Sequence, residues 1–180
     1  MIFKINDTFE MDLYVDADFC RLFRQEANND PNSVRSRTGY VITLCGCPLL
    51  WRSALQTLLS QSTLEAEYVA LSESMRDVLP LMELLEELRQ KGFAEASAAP
   101  KVKCTAFEDN EGAISLAKTP RLRPRTKHIN NKYHHFREQV QLGKVDVQHI
   151  ATEQQLADLF TKPLPELQFI YLRDLIMGKE

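Results

Sequence analysis

Residues 9–19, FEMDLYVDADF, alternate between apolar and polar side chains along their whole length. The two sets are Leu13, Val15 and Ala17 on one side, and Asp12, Tyr14, Asp16 and Asp18 on the other. Because successive side chains of a strand point to opposite faces, this alternation predicts a strand that is buried on one side. Asp16 and Asp18 then share its polar face near the end of the strand.

The sequence beyond this strand predicts a mixed α/β domain. Strands are predicted at 39–44 and 49–55, separated by the turn CGCP, and a helical period starts at Ser62. Pro80 predicts a kink or division of that helix. The other predicted elements are a strand at 102–107, a helix at 111–118 capped by Asn110, a helix at 127–142, a strand at 145–150, and helices at 153–161 and 165–178. We expect one domain over residues 1–165 and a C-terminal helical tail over 166–180.

Composition places the chain among ordinary globular proteins. Its 180 residues are 44% hydrophobic and 26% charged, which excludes the disordered and fibrous classes. The four cysteines form no CxxC pair and have no histidines at ligand spacing, so neither a zinc site nor a disulfide scaffold is expected. No basic, apolar leader is visible, and no apolar run approaches the ~20 residues of a membrane span. We therefore expect a soluble intracellular protein with no membrane partner.

The charge of the chain is unevenly distributed. The formal net charge is −3, but residues 118–144 contain eight Lys and Arg and one acid, Glu138. That segment is thus +7 and the remainder −10, and His128, His134 and His135 add potential positive charge. A local basic block on an acidic chain predicts a patch for an anionic ligand, whereas a merely solvated helix face is the alternative interpretation.

Four acidic residues fall near the ends or boundaries of predicted elements: Asp16, Glu67, Asp109 and Asp158. At about 100° per residue, Glu67 lies roughly 60° from the centre of the apolar stripe of its helix, at the core boundary. Carboxylates gathered there would repel one another unless a cation bound among them, and Mg²⁺ prefers oxygen ligands. With 25 acids in the chain, such placement also arises by chance, so spacing alone leaves both interpretations open.

Several strings resemble one family in their order along the chain. They are YVDADF, RTGYVITL, PLLWRS, STLEAEYVALSE, EDNEGAISLAK, RTKHINNKYHHFRE and QLADLFTKPLP. Together they resemble the ribonuclease H domain at the end of the polyprotein of copia-type LTR retrotransposons. The resemblance covers about residues 12–165. It implies a ribonuclease H-like α/β fold, with a five-stranded mixed sheet of three antiparallel strands and two more, flanked by helices.

The resemblance also implies an activity and its residues. The family hydrolyses the RNA strand of RNA–DNA hybrids endonucleolytically during reverse transcription, with four carboxylates and two Mg²⁺ ions, for which Mn²⁺ can substitute. Matched motif by motif, the catalytic and metal-binding residues are Asp16, Glu67, Asp109 and Asp158. Asp18 and Glu65 are nearby acids that the motif does not select, and Glu65 lies on the other edge of the apolar stripe from Glu67.

The family resemblance extends to partners. It implies an RNA–DNA hybrid as substrate, and it suggests that the basic segment contacts nucleic acid through Arg123, Arg125, Lys127, His128 and Lys132. A reverse transcriptase domain normally precedes this domain in the polyprotein. The implied location is intracellular, in a cytoplasmic retrotransposon particle or in the nucleus.

A second function class remains open. The chain could be a catalytically silent ribonuclease H-fold remnant that binds nucleic acid or a protein partner. The presence of all four carboxylates favours the enzyme, because a drifting remnant is expected to lose some of them. One departure bears on the rate: the loop ATEQQLAD has Thr152 and Glu153 where many cellular ribonucleases H have a histidine, which predicts slower turnover.

Overall fold

A single five-stranded sheet organises the chain. The computed structural model describes residues 10–20, 32–91, 102–119 and 134–178. Its strands are β1 (Met11–Asp18), β2 (Arg37–Leu44), β3 (Cys47–Leu55), β4 (Cys104–Glu108) and β5 (Val145–His149). They lie in the order β3-β2-β1-β4-β5; β1 to β3 pair antiparallel, and β4 pairs parallel with both β1 and β5. This mixed sheet confirms the predicted fold class.

Helices cover both faces of the sheet. They are α1 (Thr63–Gln90), α2 (Glu111–Lys118), α3 (Arg137–Gln141), α4 (Asp158–Thr161) and α5 (Glu166–Ile176). The larger core joins β1, β2 and β4 to α1 and α2, and it includes Leu13, Val15, Ile42, Val69 and Leu116. The smaller core lies on the opposite face, where Val41 of β2 packs with Leu156 and with Leu172 of α5.

The alternation of β1 is responsible for this two-sided packing. Leu13 and Val15 are fully buried in the larger core, whereas Tyr14 packs against the smaller one. Burying a large apolar side chain contributes about 1.5–3 kcal/mol, so a register shift of one residue would be costly. β1 therefore holds Asp16 at a defined place, with its side chain on the face covered by α4.

Helix α1 runs through Pro80 as one element, so the predicted division is wrong. Proline cannot donate a backbone hydrogen bond to the preceding turn. Residues on both sides of it, Met75, Val78 and Met82, are nevertheless buried against the same core. Pro80 itself is exposed. Packing on the sheet is therefore what keeps the helix continuous.

Two other predicted helices are shorter than expected. Of the predicted helix at 127–142, only Arg137–Gln141 is helical in the described part, and residues 127–133 lie outside the described residues. The predicted helix at 153–161 is a 3-10 turn, Thr152–Gln154, followed by α4. Gln155 interrupts the helix because its backbone is extended and its buried side chain donates hydrogen bonds to backbone carbonyls of β1 and β4.

The C-terminal segment packs onto the sheet. Leu172 of α5 is fully buried with Val41 and Leu156. The division of the chain after residue 165 stays a prediction. Within the described ranges, none of the helices combines the length and the apolar character needed to cross a membrane.

Candidate active site

The candidate site lies where the pairing of β1 with β4 ends. The two strands pair in parallel from Met11 with Cys104 to Tyr14 with Phe107. Beyond that point Gln155 lies between them, and its Nε2 donates to the carbonyl oxygens of Val15 at 2.9 Å and Phe107 at 3.3 Å. The carboxyl ends of separating parallel strands are a common place for ligand sites.

Three acidic side chains meet near this point: Asp16 from β1, Glu67 from α1, and Asp109 directly after β4. One carboxylate oxygen of each lies within 4.8 Å of those of the other two. Asp16 and Glu67 are 2% and 7% exposed, and Asp109 is partly exposed. The structure thus brings together three of the four carboxylates predicted to be catalytic, with Asp109 on the side open to solvent.

The electrostatics of this group favour a bound cation. Burial raises the pKa of Glu67 well above its ordinary value, and the neighbouring carboxylates of Glu108, Asp16 and Asp109 raise it further. Burial likewise raises the pKa of Asp16, although Lys162 and the Thr161 hydroxyl oppose this. Carboxylates whose charged forms are disfavoured in this way are stabilised when a cation binds among them.

The group fits a hard divalent ion. All three side chains offer oxygen, the ligand atom that Mg²⁺ and Mn²⁺ take from carboxylates. The Oε2 atom of Glu67 is buried and has no hydrogen-bond partner, so it is available to a ligand. A buried polar atom of this kind is costly unless something satisfies it.

The fourth predicted carboxylate, Asp158, lies outside this group and is linked to it through a lysine. Lys162 Nζ is 2.9 Å from Asp158 Oδ1 and 3.8 Å from Asp16 Oδ1. Thr161 Oγ1 donates a short hydrogen bond to Asp16 Oδ2. Burial raises the pKa of Asp158 to about 6, partly offset by Lys162. Burial lowers the pKa of Lys162, but Asp16, Asp158 and Asp109 together raise it above its usual value.

Comparison with known proteins finds retrotransposon relatives. The chain is 34% identical over 165 residues to the Retrovirus-related Pol polyprotein from transposon TNT 1-94 of Nicotiana tabacum. It is also 34% identical over 166 residues to that from transposon RE2 of Arabidopsis thaliana. The matches cover 91% and 92% of this chain but only 11% and 10% of the relatives, so the chain spans about a tenth of their length. No protein-family model matches the chain.

Two solved structures share its fold. LC11-RNase H1, isolated from compost, has a TM-score of 0.52 and 19% identity, over 86% of this chain and 94% of that one. LC11-RNase H1 in complex with an RNA/DNA hybrid has a TM-score of 0.52 and 18% identity, over 84% and 94%. The chain belongs to the family of retrotransposon Pol polyproteins, and its fold is that of ribonuclease H. At this identity the structural likeness establishes the fold of the domain.

Gly39 sets how closely α4 approaches the carboxylates of this ribonuclease H domain. It pairs with Asp16 across β1 and β2. A Cβ atom at Gly39 would lie 2.5 Å from Thr161 Cγ2 and 2.9 Å from Phe160 Cβ, closer than such atoms can pack. Glycine in a strand often marks such a close approach. The glycine inside the predicted strand 39–44 was therefore the one feature of the sequence that could have indicated this contact.

Sequence reasoning gave no role beside the carboxylates to Glu108, Thr152 or Lys162, each of which touches or influences them. Glu108 is fully buried; its Oε1 accepts the Asn110 N–H at 3.1 Å, and its Oε2 has no partner. The alternation of Cys104, Ala106 and Glu108 could have placed it on the inner face. Thr152 Oγ1 donates to Asp109 Oδ2 at 3.0 Å. The missed Lys162 is four residues after Asp158, a spacing that brings two side chains together on a helix.

Asp18 and Glu65, the acids close in sequence to Asp16 and Glu67, have different surroundings from the group of three. Glu65 is buried at the start of α1, where its N–H donates to Ser62 Oγ at 3.2 Å and its Oε2 accepts the Gln61 N–H at 2.8 Å. This reciprocal arrangement caps the helix in the manner of a capping box. Asp18 ends β1. The group of three contains Glu67 and neither of these two.

The predicted nucleic-acid-binding residues are Arg123, Arg125, Lys127, His128 and Lys132, and they lie outside the described residues. The described part of the basic segment is partly buried against α1. Tyr68 Oη lies 2.6 Å from His134 Nδ1, and Arg137 is 7% exposed. The interpretation as a solvated helix face therefore does not hold for Arg137.

Proposed function

We propose that this chain hydrolyses the RNA strand of RNA–DNA hybrids during retrotransposon reverse transcription, using two Mg²⁺ ions, with Mn²⁺ as a substitute. The observation that carries the proposal is the close group of buried Asp16 and Glu67 and partly exposed Asp109 near the carboxyl ends of β1 and β4. Membership of the retrotransposon Pol family and the fold shared with LC11-RNase H1, which has been solved with a hybrid, support it.

Each carboxylate has a role in this proposal. Asp16, Glu67 and Asp109 would hold one ion, and Asp16 with Asp158 would hold the other. When bound, two such ions activate a water molecule and stabilise charge on the attacking and leaving oxygens of the phosphodiester. The Thr161 hydroxyl orients Asp16, and the Thr152 hydroxyl orients Asp109. Because Asp109 is partly exposed, a phosphate of the substrate can reach the group from its side.

The test is cleavage of a labelled RNA–DNA hybrid in Mg²⁺, in Mn²⁺ and in a chelator, with duplex RNA and duplex DNA as comparison substrates. We expect cleavage of the hybrid alone, and only with a divalent ion. Asp109→Asn should reduce the rate by about 1,000-fold or more. Its melting temperature should stay level or rise, because one of several repelling charges is gone.

The matched control for this test is Asp146→Asn, which removes an exposed acid from β5 and should cleave at the parent rate. An Asp109→Asn variant as active as the parent would contradict the site. If the parent chain binds hybrids without cleaving them under any condition, the silent binding module becomes the better description.

We also propose that the basic residues at 123, 125, 127, 128 and 132 hold phosphates of the hybrid. Replacing Arg123, Arg125, Lys127 and Lys132 with Ala should weaken binding of every hybrid sequence. The slope of log affinity against log salt should flatten by roughly one unit for each phosphate that the variant no longer neutralises. Binding of one hybrid at several salt concentrations measures this, and an unchanged slope would contradict the role.

The proposed setting is a larger polyprotein in a cytoplasmic retrotransposon particle or in the nucleus. The relatives are Pol polyproteins about ten times as long as this chain. A reverse transcriptase domain is the proposed neighbour that delivers the hybrid. Joining the two domains should therefore lower the hybrid concentration needed for half-maximal cleavage, compared with this chain alone.

A further inference from the structure

One cationic side chain already lies between the two carboxylates that would hold the second ion. Lys162 Nζ contacts Asp158 Oδ1 at 2.9 Å and Asp16 Oδ1 at 3.8 Å. The side chains of Asp158 and Asp16 are 0% and 3% exposed, whereas that of Lys162 is 26% exposed. Lys162 is thus the most exposed of the three side chains, and its ammonium group already contacts one carboxylate oxygen of each aspartate.

Asp158 and Asp16 hold the ammonium group of Lys162 between them, but the side chain remains free enough to move away. Two buried carboxylates that face each other without a cation are strongly disfavoured, and one lysine compensates part of their charge. Yet Lys162 follows the last residue of α4 and has extended backbone (φ −138°, ψ 150°). Its long aliphatic stem is flexible and partly exposed, so the ammonium group can move into solvent without unfolding the helix.

We infer that Lys162 is a tethered cation that occupies the place of the second divalent ion in the free protein and is displaced when that ion binds. The inference rests on the proposed function for the two-ion site. A monovalent ammonium and a divalent ion compete for the same carboxylate oxygens, because two cations held about 4 Å apart repel each other strongly. Lys162 therefore acts as an internal competitor that lowers the affinity of the second site for a divalent ion.

Calorimetric titration with Mg²⁺ and with Mn²⁺, together with melting temperatures in each ion and in a chelator, tests this. In the Lys162→Met variant, the second ion should bind at least about tenfold more tightly than in the parent, because no ammonium group competes with it. The variant should melt below the parent in the chelator and gain more from added Mg²⁺. Lys162→Arg, which keeps the charge, should titrate like the parent.

The matched control is Lys118→Met, which removes an exposed lysine that pairs with the exposed Asp146 at 3.8 Å. It should leave ion binding unchanged. Lys162→Gln is a second neutral variant whose amide can still donate to Asp158, and it serves if the Met variant does not fold.

The outcomes separate the two claims. If the parent binds divalent ions and both neutral variants titrate like it, the inference is wrong while the proposed function stands. Weaker binding in the neutral variants would also overturn it. If neither parent nor variants bind a divalent ion, the metal site of the proposed function fails, and this inference fails with it.

Discussion

The two halves of the carboxylate site share Asp16 but have their charge compensated in different ways. In one half, Asp16, Glu67 and Asp109 lie together, and no ion pair in the described part of the chain involves Glu67 or Asp109. In the other half, Lys162 already compensates Asp16 and Asp158. Under the proposed function, the first half would take its compensating cation from solution, whereas Lys162 already supplies a positive charge to the second half.

The halves also differ in how they are supported. The first is carried by the ends of two central strands and by the 28-residue helix α1, all anchored in the larger core. The second depends on the four-residue helix α4, which Gly39 allows to approach β2 closely and which contacts β2 together with the preceding Ala157. A short helix gains little stability by itself, so its position depends on tertiary contacts.

The largest expected effect distinguishes Glu67 from its neighbour in the first half. Glu67→Gln should lower hybrid cleavage by about 1,000-fold, because it removes a charge from the buried group. Glu65→Gln should keep most of the activity, since Glu65 caps α1 instead. It should lower the melting temperature by a few degrees, as expected for the loss of about 1 kcal/mol at a helix cap. Steady-state cleavage rates and thermal melts measure both, and equal loss of activity in the two variants would contradict the assignment.

An intermediate effect on the cleavage rate should follow from shifting α4, the helix that carries Asp158 in the second half. Gly39→Ala places a Cβ atom against Thr161 and Phe160, so α4 must shift away from Asp16. We expect about a 10- to 100-fold loss of cleavage, the size typical of a small misplacement of reacting groups. The double variant Gly39→Ala, Thr161→Ser removes Cγ2 but keeps the hydroxyl that donates to Asp16, so it should recover part of the rate. No recovery, or no loss in the single variant, would show that this contact does not position Asp158.

The smallest expected effect is a change of stability with pH, which arises from the buried carboxyl groups of both halves. The pKa of Asp158 is raised from 3.8 to about 6, and that of Glu67 is raised well above 4.5, in both cases chiefly by burial. A carboxyl whose pKa is higher in the folded state binds protons more tightly when folded. Its stabilising contribution is complete below the unfolded pKa near 4 and is lost as pH rises through the folded value.

With metal chelated, the melting temperature should therefore fall by several degrees between pH 5 and pH 8. Glu67→Gln should show a smaller fall, and Mg²⁺ at pH 8 should restore part of the loss in the parent. Melting curves across this pH range measure the effect. A parent whose melting temperature rises with pH, or a Glu67→Gln variant with the parent's slope, would contradict the sign of these pKa shifts.

Much of this architecture could be predicted from local sequence patterns. The alternation at 9–19 located the central strand, and Asn110 caps α2 as predicted, with its Oδ1 accepting the Ala113 N–H at 3.1 Å. The continuity of α1 through Pro80 and the break in the helical pattern at Gln155 could not be predicted in the same way. Pro80 locally favours a break, and residues 153–161 locally favour one helix. Burial of Met82 and the hydrogen bonds from Gln155 to β1 and β4 outweighed those local preferences.

The sequence by itself determined the order of the elements, the buried faces of the strands and the motifs that mark Asp16, Glu67, Asp109 and Asp158. These follow from periodicity and from family strings, which are properties of the chain read in one dimension. Only the tertiary structure decided that three of the carboxylates meet in one group, that Lys162 stands between Asp158 and Asp16, and that Glu108 is buried beside them. The physical reason is that charge interactions depend on distance and burial in space, and residues 16, 67, 109 and 162 approach one another only when strands and helices pack.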